Sequence, residues 1–182
     1  MDFNLSPKTT EYAAKLQAFM DSEVFPAEAV YHQQREQLIA QGKPHALPAI
    51  VEELKTKAKA LGLWNLFLPH YGHGLSVTDY ATLAEITGWS PEIAPEAINC
   101  AAPDTGNMEL LDMFGNKEQK ERWLQPLLDG QIRSAFAMTE PAVASSDARN
   151  IQTQIVKDGD HYVINGTKWW TTGAMDERCE IL

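Results

Sequence analysis

The chain has 182 residues, of which 44% are hydrophobic and 22% charged, the composition of an ordinary globular protein rather than a disordered one. That length suffices for one domain, or one domain and part of a second, and a chain of this size buries roughly 70% of its unfolded surface, enough for a genuine core. A net charge of −10 excludes wrapping a nucleic-acid backbone, which needs a basic surface, yet it leaves room for an anionic ligand, since a few amides and hydroxyls bind phosphate locally on an acidic protein.

The first predicted element is a helix. Ser6 can cap it with Pro7 at the first helical position, and Tyr12, Leu16, Phe19 and Met20 recur at helical spacing. Pro26 should kink or restart it, since proline removes a backbone donor, and a polar helix continues to Ala40 before the Gly42 and Pro44 loop. A second helix starts near Pro48, with Ile50, Val51, Leu54, Ala58 and Leu61 on its apolar face and Gly62 as C-cap. Leu63 to Pro69 reads as an irregular apolar segment. Ser76 and Asp79 stand in capping-box spacing, with Asp in place of the usual Glu or Gln, and open a helix carrying Tyr80, Leu83 and Ile86. Pro91 and Pro95 flank a connection into a short helix through Asn99. Asn107 to Phe114 is helical and stops at Gly115. Lys117 to Leu128 is the last helix, its final turn loosened by Pro126 and capped by Gly130.

After Gly130 the pattern changes to strands. Ile132 to Met138 reads as one. Ile151 to Lys157 alternates, Asp158-Gly159-Asp160 is a turn, and Tyr162 to Ile164 is a further strand. Asn165-Gly166 is a hairpin signal, because both residues tolerate positive φ, and Lys168 to Thr172 is the expected return strand. Cys179 to Leu182 begins another. Helices followed by strands suggest separate layers rather than alternating β-α units. Strands that stop in mid-pattern cannot close a barrel and leave open edges, so the sheet part is expected to be incomplete.

Two cysteines, Cys100 and Cys179, make no disulfide framework and fit a reducing compartment. No apolar run reaches membrane-spanning length, and Met1 to Leu5 lacks the basic and apolar regions of a signal peptide. The expectation is a soluble cytoplasmic protein. His70 and His73 have a spacing that can serve a metal, but no acidic or thiol third ligand stands near them, so no metal is expected. Cys100 precedes small apolar residues and reads as buried rather than nucleophilic. Taken alone, Thr139, Ser146 and Thr172 are ordinary hydroxyls, and Trp169 and Trp170 could fill a core; on a strand the two indoles would point to opposite faces.

One region joins these residues. Ala137-Met138-Thr139-Glu140-Pro141 is followed by Ala144-Ser145-Ser146-Asp147, and later by Ile164-Asn165-Gly166-Thr167-Lys168-Trp169-Trp170-Thr171-Thr172-Gly173. Together with the helix Glu118 to Leu128 and the stretch Asn99 to Glu109, these motifs resemble the acyl-CoA dehydrogenase family over nearly the whole chain. The Asn99 to Glu109 stretch and the double serine resemble the branch of family members ten and eleven. The resemblance implies a mainly α fold: an acyl-CoA dehydrogenase-like N-terminal helical domain, residues 1–131, followed by the truncated start of a β-barrel-like middle domain, residues 132–182. A C-terminal four-helix bundle would complete such a protein.

The resemblance also implies FAD. A flavin ring needs a flat apolar wall and hydrogen-bond donors at its polar edge. By resemblance, Phe136, Met138 and Thr139 contact the pyrimidine end, Trp170 packs near the ring, and Thr171 and Thr172 reach its reactive nitrogen region. Ser145 and Ser146 lie toward phosphate, with Ser146 also toward the acyl-CoA substrate. The loop Ala142 to Ser146 is longer than in many members and lacks glycine, which leaves open which serine faces the ligand. The implied reaction oxidises an acyl-CoA to its 2,3-enoyl form and passes electrons to an electron-transfer flavoprotein, in a homo-oligomer. Its base is a glutamate of the C-terminal bundle, to which no position here corresponds, so no catalytic residue is assigned and the chain alone is expected to be inactive. The rival readings are an acyl-CoA oxidase or flavin monooxygenase on the same fold, and a non-catalytic helical interaction module or truncated gene product.

Overall fold

Helix caps and prolines account for most of the boundaries in the structure, a computed structural model that describes residues 4–69, 71 and 73–182. The elements run α1 (Pro7–Phe19), a π-helical turn (Met20–Val24), α2 (Phe25–Ala40), α3 (Ala49–Ala60), α4 (Val77–Thr87), α5 (Ala94–Ala97), α6 (Asp104–Phe114), α7 (Lys117–Gln119), a second π-helical turn (Lys120–Leu124), α8 (Gln125–Leu128), β1 (Arg133–Ser134), a 3₁₀ turn (Ala148–Asn150), β2 (Gln154–Asp158), β3 (His161–Asn165) and β4 (Cys179–Ile181). Ser6 Oγ accepts the Thr9 N–H at 3.0 Å and so caps α1. At α4 the capping box is complete: Ser76 Oγ accepts from Asp79 N at 3.1 Å and Asp79 Oδ2 from Ser76 N at 2.9 Å. Asp79 Oδ1 also accepts from the Ser6 hydroxyl at 2.9 Å and from the Thr9 hydroxyl, so one carboxylate ties the starts of α1 and α4 together.

Pro26 and Pro126 are handled alike. A proline ring clashes with the carbonyl four residues back and supplies no donor. In both places the preceding turn widens by one residue, with Phe25 N–H bonded to Met20 O and Gln125 N–H to Lys120 O, and the proline then sits in the first turn of the next helical stretch. Pro26 therefore restarts the helix as expected. The loosening expected at Pro126 falls before it, in Lys120–Leu124, rather than in the final turn. Two further bounds differ. α6 begins at Asp104, three residues ahead of Asn107, and α5 ends at Ala97 while Asn99 lies beyond it with φ 56°.

One core serves the helical part. Leu16, Phe19 and Met20 meet Val51, Leu54 and Ala58 of α3, Leu83 of α4, Met108 of α6, and Leu124 and Leu127 near α8, with Leu63, Leu66 and Leu68 of the irregular segment filling between them. Among the described residues no helix is long and apolar enough to cross a membrane.

The strand expectations need correction in two places. Ile132 to Met138 contributes only the two-residue β1, paired in parallel with β4; its last contact with that strand is Ala135 N–H to Ile181 O at 2.9 Å, and among the described residues no strand pairs with the segment from Phe136 on. The hairpin forms around Asp158-Gly159-Asp160, where Gly159 has φ 58°, and joins β2 to β3 from Gln154↔Asn165 to Asp158↔His161. Asn165-Gly166 makes no hairpin, and Lys168 to Thr172 is not a strand. Gly166 serves close approach instead: a Cβ there would lie 2.1 Å from Thr153 Oγ1. Both strands of the hairpin are exposed along their length.

A polar cluster joins the helices to β1 and β4. Glu96 Oε1 receives Lys55 Nζ at 2.8 Å, Arg133 Nη2 at 2.5 Å and Arg178 Nη1 at 2.9 Å. Arg133 Nη1 donates to Asn99 Oδ1 at 2.6 Å, and Asp104 Oδ1 accepts from Ser134 N at 2.6 Å and Ser134 Oγ at 2.7 Å. Burial pushes the Glu96 carboxyl up, but Arg133, Lys55 and Arg178 outweigh it and hold it at about 2.

Candidate functional site

β1 delivers the chain to Phe136, and the segment from Phe136 to Pro141 then runs irregularly beside Lys168 to Gly173. Trp169 N–H donates to Thr139 O at 3.1 Å, and Lys168 Nζ donates to Met138 O at 2.9 Å. These bonds create a cleft of about 310 Å³ lined by Ala102, Pro103, Phe136, Thr139, Trp170 and Thr172. Phe136 is 62% exposed and Trp170 84%, so two exposed aromatic residues line the cleft together with the exposed Thr139 and Thr172.

Trp170 has φ 54°. A bulky residue in the left-handed region is a genuine outlier that persists only where its surroundings over-determine it, and such outliers cluster at ligand sites. This geometry replaces the expected strand alternation. Trp169, 48% exposed, packs edge-on to Trp170 with ring centroids 6.3 Å apart.

Glu140, next to Thr139, is only 5% exposed. Its Oε2 accepts from Gln152 N at 2.8 Å, and its Oε1 from Thr153 N and Lys168 Nζ, both at 2.9 Å. The Thr153 hydroxyl beside it, the Gln152 N–H and the Lys168 ammonium hold its carboxyl at about 2 against the opposing pull of desolvation.

Of the sequence candidates, the structure brings together Phe136, Thr139, Trp170 and Thr172. Met138 is half-buried and offers the knot its carbonyl. Thr171 borders a wider cleft of about 750 Å³ with Arg35, His45 and Asp176, which Trp170 and Thr172 also border. Ser145 is buried, its Oγ accepting the Glu140 N–H at 2.8 Å, so of the two serines it is Ser146 that is exposed; neither lines the cleft. Sequence reasoning gave no site place to Ala102 and Pro103, although they stand in a motif it singled out, or to Glu140 and Lys168; a charged pair inside a run of small and hydroxylic residues was the available signal. Cys100 is buried, and burial pushes its thiol up to about 11, which leaves it inert. His73 uses both ring nitrogens, Nε2 donating to Trp64 O at 2.7 Å and Nδ1 lying 3.0 Å from the Tyr12 hydroxyl; His70 lies outside the described residues.

Comparison with known proteins bears on the whole chain. Residues 6–131 match the acyl-CoA dehydrogenase N-terminal domain and residues 135–181 the acyl-CoA dehydrogenase middle domain. A probable acyl-CoA dehydrogenase of Mycobacterium tuberculosis, FadE2, is 63% identical over 182 residues, which is 100% of this chain and 44% of that protein. Acyl-CoA dehydrogenase family member 10 of Mus musculus is 50% identical over 184 residues, 97% of this chain and 17% of its own length. The chain thus spans less than half the length of these curated relatives. Among solved structures, a putative acyl-CoA dehydrogenase from Mycobacterium abscessus superposes with a TM-score of 0.90 at 47% identity, covering 98% of this chain and 46% of that one. A glutaryl-CoA dehydrogenase from Mycobacterium smegmatis in complex with FADH2 shares the fold, with a TM-score of 0.66 at 24% identity over 92% of this chain and 39% of that one.

Proposed function

The chain belongs to the acyl-CoA dehydrogenase family, and on that premise we propose that the Phe136–Thr139 and Trp170–Thr172 segments form one wall of an FAD site in a protein that oxidises acyl-CoA to 2,3-enoyl-CoA. The observation that carries this reading is the cleft itself, which exposed Phe136 and Trp170 line together with Thr139 and Thr172. The residue types fit a flavin: flat apolar surface for the ring, hydroxyl donors for its polar edge. When bound, FAD supplies the acceptor for the hydride that leaves the β carbon of the acyl group.

This chain's own residues bind and orient. Thr139 and Thr172 would hold the ring through their hydroxyls, and Trp170 and Phe136 would offer it apolar surface. Ser146 is exposed on the following loop and is the serine we assign to the phosphate or acyl-CoA side. We assign Glu140 no role as base: the Thr153 hydroxyl beside it, two N–H groups and the Lys168 ammonium already stabilise its carboxylate and hold its carboxyl at about 2, far too weakly basic for the task. On this reading the chain presents a flavin wall, no described residue is assigned as the proton acceptor, and we expect the chain alone to turn over no acyl-CoA. In the whole protein, electrons pass to an electron-transfer flavoprotein and the subunits form a homo-oligomer. We divide the chain into a helical domain, 1–131, and the start of a β domain, 132–182, a division supported by the change from helix to strand at β1. Two free cysteines suit a reducing cytoplasm.

The test is titration of the chain with FAD, followed by quenching of tryptophan fluorescence. A single wall should bind weakly, so saturable quenching is expected and flavin should be lost on desalting. Removing one neutral hydrogen bond costs about 0.5–1.5 kcal/mol, so Thr172→Ala should weaken binding about two- to tenfold. Quenching identical in the native chain, Thr172→Ala and Trp170→Phe would remove the site from this cleft.

A further inference from the structure

We propose that Glu140 and Lys168 act as a positioning pair: backbone N–H groups fix the carboxylate, the carboxylate fixes the ammonium, and the ammonium fixes the stretch from which Trp170 and Thr172 reach the cleft. The proposal rests on the reading of that cleft as a flavin wall, and it concerns two residues that touch no ligand there.

Glu140 stands out against its surroundings. Apart from Ser145, most of the loop after it and the whole β2–β3 hairpin are exposed, yet its side chain is buried and paired with Lys168 at 2.9 Å. Its own N–H is spent on Ser145 Oγ at 2.8 Å. Four chain positions, Ser145, Gln152, Thr153 and Lys168, are thereby tied to one residue.

Lys168 extends the tie into the site. An ammonium carries three donors, and here one meets Met138 O and another Glu140 Oε1. With Trp169 N–H on Thr139 O, the two walls of the cleft are cross-linked immediately before Trp170. Left-handed backbone at a tryptophan requires that its surroundings fix it, and charge-assisted bonds of this kind are about twice as strong as neutral ones. On the far side the chain turns at Gly173, with φ 87°, and is held again where Arg178 meets Asp176 at 2.7 Å and Glu96 at 2.9 Å. The segment between carries the cleft's tryptophan and threonine.

The test uses the full 182-residue chain as Lys168→Met, Glu140→Gln and the double variant, with tryptophan indoles labelled for NMR. The Trp170 indole signal is identified by its disappearance in Trp170→Phe. Each single variant should shift and broaden that signal, and the double variant should shift it no further, while the helical circular-dichroism signal stays at its native level. An unmoved Trp170 signal in either folded single variant overturns the proposal. If Lys168→Met fails to fold, Glu140→Gln, which keeps the side chain's shape, decides alone; loss of the helical signal in both overturns it, because the pair would then support the whole chain rather than one segment. FAD titration separates this proposal from the flavin reading. An affinity lowered about tenfold in Lys168→Met, the loss expected for charge-assisted bonds, supports both. A native chain without saturable quenching, but with a Trp170 signal that still moves in both single variants, sinks the flavin reading and leaves the pair standing.

Discussion

The helical region and the segment after Ala135 are built on opposite terms. From Leu16 to Leu128 the apolar side chains bury one another in a single core. Beyond Ala135, Phe136, Ile155, Val156, Tyr162, Val163, Ile164 and Trp170 are all exposed. What order the second region has comes mainly from directed polar contacts, the strand ladders, the bonds around Glu140 and the Glu96 cluster, with Ile181 of β4 packed against the helical core. Burial is non-directional and tolerates repacking, whereas hydrogen-bonded charge fixes particular atoms. The difference teaches that an exposed wall can be held in shape without being buried by its own chain.

The largest expected effect breaks the join between the two regions. Arg133→Ala leaves Glu96 and Asp104 with less compensation in a buried setting, and losing one partner of such a pair costs about 3–5 kcal/mol. Thermal unfolding by circular dichroism should show it. The same cluster predicts a pH dependence. Because the Glu96 carboxyl is depressed to about 2, its contribution is complete above the unfolded carboxylate value of about 4.3 and is lost as pH falls from there through about 2. The melting temperature should decline over that window, and Glu96→Gln should flatten the decline.

The second test sets the regions against each other. Leu54→Ala in the core should cost about 2–5 kcal/mol, while Ile155→Ala on the hairpin should fall within about 0.5 kcal/mol. Equal losses in chemical denaturation would mean that the hairpin carries a core of its own. A smaller effect is expected at the helix caps: Ser76→Ala removes the acceptor for the Asp79 N–H and should cost about 0.5–2 kcal/mol. The smallest global effect belongs to Gly166→Ala. Its new Cβ would meet Thr153 Oγ1, so hydrogen exchange should accelerate in β2 and β3 with helical melting unchanged.

The caps were legible because they are local. Ser6, Ser76 with Asp79, and Gly62 act within a few residues of chain, and the glycine closes its helix with φ 71°. The second role of Asp79, accepting from the hydroxyls of Ser6 and Thr9, has no local sign. Lys55 likewise stands among the apolar positions of α3, and nothing in its neighbours foretells a buried ammonium on Glu96. In the β region, Asp158-Gly159-Asp160 read as a turn and Asn165-Gly166 as the hairpin signal, yet only the first joins two strands. Register depends on which strands meet, and the β2–β3 ladder, which pairs Gln154 with Asn165, lays Gly166 beside Thr153 instead of at a turn.

By itself, then, the sequence determined the family, the run of helices and their caps, and it named eight site candidates that include the cleft residues Phe136, Thr139, Trp170 and Thr172, since each depends on short-range chemistry or on motifs readable along the chain. Only the tertiary structure decided that Ser145 braces Glu140 while Ser146 stays exposed, that Trp170 takes a left-handed backbone, and that Glu140 and Lys168 join the two cleft segments. Those facts depend on groups distant in sequence competing for the same donors and acceptors, and that competition is settled only once the chain has folded.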